Sequence, residues 1–141
     1  MRGATRPARI AAICTLAVLP GIAAAQLFVA DSKLQGGGKM DIVIAETERG
    51  ARTSLLDIRI GTVGSSVGSS FFIVCSLREL ARQRGGFRHV AKLEFGGARP
   101  KMLVGFLERA DEAPEALDPR LAGQTVIKLE QFAPICDLPK K

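Results

Sequence analysis

Four stretches of the chain alternate apolar and polar residues, a fifth is apolar at both parities, and one shifts to a helical period. Met40, Ile42 and Ile44 share a parity across residues 40–44, as do Leu56, Ile58 and Ile60 across residues 56–60. A two-residue period marks a half-buried strand, because successive side chains point to opposite faces. The polar, glycine-containing residues 47–52 between them predict a hairpin. Residues 87–95 and 125–132 alternate as well, with Phe87, His89, Ala91, Leu93 and Phe95 on one parity of the first. Between them, residues 101–107 place Met102, Val104 and Phe106 on one parity and Leu103 and Leu107 on the other. That pattern predicts a central strand covered on both faces.

The period changes over residues 71–84. Ile73, Leu77, Leu80 and Ala81 fall at i, i+4, i+7 and i+8, one stripe of a helix. Ser69 or Ser70 is placed to cap its start, and Gly85-Gly86 to stop it. Upstream, the Gly/Ser run 61–70 reads as a connection. Residues 108–118 are acidic and contain Pro114, which predicts an exposed loop, and Asp118-Pro119 through Gly123 predicts one helical turn. Residues 27–29 are short enough for an edge strand at most. The expected fold class is α+β: a small, mostly antiparallel sheet of five or six strands with one amphipathic helix packed on it and one disulfide.

The N-terminus belongs to none of these elements. Arg2, Arg6 and Arg9 precede an uncharged stretch, residues 10–25, that is broken by Pro20-Gly21 and ends in Ala23-Ala24-Ala25. That is the layout of a cleavable Sec-type signal peptide over residues 1–25, leaving residues 26–141 as a single exported domain. The apolar part is short for a bilayer span. Removing three arginines takes the net charge from +6 to +3, so much of the basicity belongs to the leader. With no Tyr and no Trp, the domain lacks the concentrated basic face and aromatic platforms of nucleic-acid binding. Abundant Ala, Arg and Gly without any Asn suits a GC-rich bacterial genome.

Export also decides how the cysteines read. Cys14 lies in the leader, and the two that remain, Cys75 and Cys136, predict a disulfide in an oxidising periplasmic or extracellular setting. A redox pair would show C-x-x-C spacing, which is absent.

Three features invite chemistry. Gly64-Ser65-Ser66-Val67-Gly68 matches G-x-S-x-G, with a strand before it and a helix after, as a nucleophile elbow requires. His89 is the one histidine, and Glu79 the one acid between it and Ser66, so a Ser66/His89 hydrolase has few parts from which to assemble. The same Gly/Ser run lacks the G-K-[ST] of a nucleotide loop, and no cofactor is expected. One histidine, two bridged cysteines and scattered acids predict no metal site. Lastly, Arg78 and Arg82 stand at i, i+4 on the helix with Arg88 close behind, a candidate basic face for an anionic surface or an acidic envelope partner.

The expectation is a non-enzymatic domain of the cell envelope that binds a protein partner or a surface. A small serine hydrolase using Ser66 is the alternative. A secreted inhibitor or toxin-like domain is a further one that nothing in the chain selects.

Overall fold

The structure, a computed structural model, describes residues 26–36 and 38–139, with Gly3 by itself. The expected signal peptide, Cys14 included, falls outside the described residues.

A short strand β1 (Val29–Asp31) leads into the long hairpin β2 (Asp41–Arg49) and β3 (Thr53–Thr62). Both hairpin strands run further than the alternation marks, so the turn shrinks to residues 50–52. The helix α1 (Ser66–Gln83) follows, then β4 (His89–Phe95), β5 (Lys101–Leu107), two 3-10 turns (Pro114–Ala116 and Pro119–Leu121), and β6 (Ile127–Lys128). A 3-10 turn (Leu129–Phe132) and one turn of helix, α2 (Ala133–Cys136), close the chain. The expected strand over residues 125–132 is therefore two residues long, because Leu129 turns inward as β6 gives way to the 3-10 turn.

The sheet has six strands in the order β1-β2-β3-β5-β4-β6, every pair antiparallel. β5 is inserted between β3 and β4, which makes β3-α1-β4 a split β-α-β unit. β5 is also the strand whose two parities are both apolar, and the structure shows why. On one face Met102, Val104 and Phe106 pack with Ile42, Ile44, Leu56 and Val90 under Phe72, Leu77, Leu80 and Ala81 of α1. On the other, Leu103 and Leu107 are buried with Ala91 and Leu121, outside that cluster.

On the second face, residues 108–118 are mostly exposed, as expected of the acidic loop, but they are more ordered than a plain loop. Residues 108–124 fold across the sheet as a cover, burying Pro114 and Leu121. A Cβ on Gly105 would lie 2.6 Å from Leu121 Cδ1 and 3.2 Å from Leu117 Cδ1, so glycine lets the cover sit directly on β5. Arg52 pins this layer. Its Nη1 and Nη2 donate to Glu112 Oε1 and Oε2 at 2.5 and 2.9 Å, and its Nε donates to the Phe106 carbonyl at 3.1 Å. The expected turn at Asp118-Pro119 is present, with the Asp118 carboxylate accepting the Arg120 N–H at 2.9 Å.

The helix begins at Ser66, five residues before the expected start at residue 71. Ser65, not Ser69 or Ser70, is the cap, and its Oγ accepts the Gly68 N–H at 3.0 Å. Ser69 and Ser70 lie inside the helix and donate to the Ser66 carbonyl at 3.0 and 2.9 Å. The Gly/Ser run is thus mostly strand end and helix start rather than connection. The helix stops where expected: Gly86, at φ +79°, donates to the Ala81 carbonyl at 3.0 Å.

Beyond that stop, Arg84 locks the helix end to the β2–β3 turn. It donates to the carbonyls of Thr53, Gly50 and Ala51 and to Ser54 Oγ, and its guanidinium lies 5.0 Å from the Phe106 ring centroid. Burial, with Arg49 nearby, holds its pKa below the usual arginine value. Ser54 Oγ passes the network on to Glu46, whose fully buried carboxylate also accepts from Arg49 Nε at 2.6 Å.

Candidate functional site

A cavity of about 800 Å³ forms an open groove along one side of α1. Its floor is a helical stripe, Gly68, Phe71, Phe72, Cys75, Ser76, Glu79 and Gln83, at the three- and four-residue spacing of one helix face. One wall is Phe28 and Val29 with the turn that follows β1; the other is the C-terminal segment from Ile135 to Pro139. The helix stripe runs from Gly68 to Gln83, about 22 Å at 1.5 Å rise per residue. An extended peptide of six or seven residues has roughly that length.

Two features give the groove its character. The first is the disulfide expected from the sequence. Cys75 and Cys136 are bonded, with Cα atoms 5.4 Å apart. The bond joins the middle of α1 to α2 and so holds the C-terminal wall in place. The second is the free edge of β1. Phe28 O accepts from Glu46 N, and Ser32 N donates to Ile42 O, so residues 28, 30 and 32 face β2. By strand alternation Val29 and Asp31 turn their N–H and C=O groups outward. The Val29 side chain, on the face opposite the buried Ala30, is 63% exposed.

Beside the groove lies a smaller cleft of about 280 Å³ that contains all three arginines of the expected basic face, Arg78, Arg82 and Arg88. It also contains Glu79, Glu130 and Asp137, which spacing alone did not place there. Arg78 makes a two-point pair with Asp137, at 2.7 and 3.1 Å, and Arg82 one with Glu79, at 2.9 and 2.5 Å. These pairs lower the Glu79 pKa and raise those of Arg78 and Arg82. The cleft therefore balances three cations against three carboxylates. The Arg78–Asp137 pair does further work, since Asp137 directly follows the disulfide and carries the groove wall.

The G-x-S-x-G residues each serve the start of α1. Gly64 takes φ +73°, Ser65 caps, Ser66 offers its carbonyl, and Gly68 donates to the cap. Ser66 is the first residue of α1, whereas His89 comes after its C-terminus and pairs across the sheet with Leu107 and Lys128. The helix of 18 residues, about 27 Å long, separates the two ends, and the structure does not bring Ser66 and His89 together. His89 Nδ1 is buried without a hydrogen-bond partner among the described residues. The same residues contain no group of three His, Cys, Asp or Glu arranged to hold a metal, and no described helix is long and apolar enough to cross a membrane.

Comparison with protein-family models, with curated proteins and with solved structures finds no match to this chain.

Proposed function

We propose that this chain is a small exported domain of the cell envelope that acts by binding a protein partner, without catalysis, through the groove between α1 and β1. The groove itself carries the proposal. It combines an apolar and polar lining, a free strand edge and a wall fixed by a disulfide, which suits it to hold a polypeptide segment with little rearrangement on binding. The disulfide agrees with an oxidising compartment, and the leader-like residues 1–25 agree with export. The paired arginines beside the groove favour a protein partner over an anionic surface, because their charge is already matched.

Site-specific photocrosslinking in the native envelope tests this. A photoreactive residue at Phe71, in the groove, should give a discrete crosslinked species that Val29→Glu abolishes. The same probe at Arg109, an exposed position in the cover, should not. Equal crosslinking from both positions, or crosslinks from Phe71 indifferent to Val29→Glu, would refute the groove as the binding surface.

A further inference from the structure

A second open edge lies at the end of β3, separated from β1 by β2. The β3–β5 ladder ends at Asp57↔Lys101, while β3 itself continues to Thr62 along β2. Pro100 ends the ladder chemically. Its carbonyl accepts the Ile58 N–H at 3.0 Å, but proline has no N–H to return to Ile58. Strand alternation then turns the N–H and C=O of Ile60 to the same side, where β5 has already left. Residues 96–100 stand off from this edge as a turn and enclose a slot of about 550 Å³ lined by Asp57 to Ile60 and Gly97 to Pro100. Nothing lies within 4 Å of a Cβ built on Gly96 or Gly97, so the outer wall has room to give.

The slot has a two-sided chemistry. Ile60 pairs with Ile42 of the helix-facing core and is 47% exposed, with Val63 beyond it 43% exposed. Arg59 pairs with Val43 and so projects from the opposite face. Arg99 lines the slot from the turn. Asp57 is engaged by Lys101 at 3.5 Å, whereas Arg59 and Arg99 have no ion-pair partner among the described residues. One edge therefore carries open backbone groups, an apolar position on one face and unmatched cations about the other.

We infer that the β3 edge takes an extended acidic segment of a partner protein as an added strand. Apolar residues of that segment would lie beside Ile60, and alternate carboxylates would meet Arg59 and Arg99. Backbone bonds through the N–H and C=O of Ile60 supply attachment, and the alternation supplies specificity. The part of β3 beyond the Pro100 contact, residues 59–62, is about 13 Å long at strand rise, so four or five partner residues lie along it. This site is separate from the α1–β1 groove and does not rest on it.

The test uses the purified full chain and a capped, labelled heptapeptide alternating valine and glutamate, read by fluorescence anisotropy at low salt. Saturable binding is expected, at least about tenfold tighter than for a peptide with lysine in place of each glutamate. The preference should invert in the double variant Arg59→Glu/Arg99→Glu, whose substituted side chains are exposed. N-methylation of the peptide at one parity should abolish binding and at the other should leave it within about twofold, because an added strand bonds through alternate amides only. Val29→Glu, in the groove, should leave all of these values unchanged, so loss of the groove proposal would not touch this one. Absence of saturable binding, equal affinity for a composition-matched scrambled peptide, or equal effects of N-methylation at both parities overturns the inference.

Discussion

Glu112→Gln isolates the charge that pins the acidic cover to the sheet. The Glu112 carboxylate accepts two hydrogen bonds from Arg52 and one from the Glu108 N–H at 2.9 Å. The Arg52 guanidinium foremost, with help from these backbone bonds, lowers its pKa from 4.5 to about 2. A displacement of that size corresponds to about 3 kcal/mol at the most, by the standard 1.36 kcal/mol per pKa unit. Solvent reaches both partners, with 29% of the Arg52 side chain and 17% of the Glu112 side chain exposed, so about 1–2 kcal/mol is the expected net effect. The sign follows from a folded pKa below the unfolded one. The stabilisation is fully present above about pH 4.5 and fades as pH falls toward 2. Urea unfolding at pH 6 and pH 2.5 checks it. At pH 6 the variant should unfold at about 1 M less urea than the wild type, given a typical slope of 1–3 kcal/mol per M. At pH 2.5 the gap should shrink to less than half. Other carboxylates with lowered pKa values, Glu79 and Asp118, are present in both proteins and cancel. An equal gap at the two pH values, or none at pH 6, would refute the assignment of that stability to the ion pair.

Three further outcomes follow from the packing. Replacing both Cys75 and Cys136 with alanine opens a loop of 61 residues and should cost about 4 kcal/mol in the chain-entropy account. For a domain of this size that is a melting temperature lower by about 15 °C, measurable by calorimetry. Gly105→Ala drives a methyl group into the fully buried Leu121 and should destabilise by about 1–3 kcal/mol in chemical denaturation. Ser65→Ala should cost about 1 kcal/mol by loss of the cap, whereas Ser66→Ala should stay within about 0.5 kcal/mol by the same assay; the reverse order would return Ser66 to attention.

Strand and helix periodicity carried most of the fold. The hairpin β2–β3 was legible because α1 covers only one of its faces along most of its length, which leaves the period intact. β5 was legible for the opposite reason, since cover on both faces removes the alternation and leaves a plain apolar run. The start of α1 was hidden because Gly68, Ser69 and Ser70 are weak helix formers, and tertiary contacts with Met40 and the Ser65 cap override that preference. The cover was hidden because Pro114, Leu117 and Leu121 are sparse among acids, so no window shows a period. Of the candidate chemistry, the disulfide followed from counting the two cysteines outside the expected leader. The arginines were grouped correctly, but their carboxylate partners come from β6 onward and from within the helix, which linear spacing does not reveal. The groove itself is built from residues 28–36, 68–83 and 135–139, and no local pattern joins three segments so far apart.

The placement of β5 between two earlier strands has a kinetic consequence. β4 and β5 can form their hairpin locally, but that hairpin completes the sheet only when Lys101 reaches Asp57, 44 residues back along the chain. Closing such a loop costs roughly 3 kcal/mol of chain entropy, and the central apolar strand offsets it only once seated. Sheets assembled through distant pairings fold in milliseconds to seconds rather than microseconds. Until that docking occurs, the whole length of β3 presents an unpaired margin to other chains, of which residues 59–62 remain open at the end.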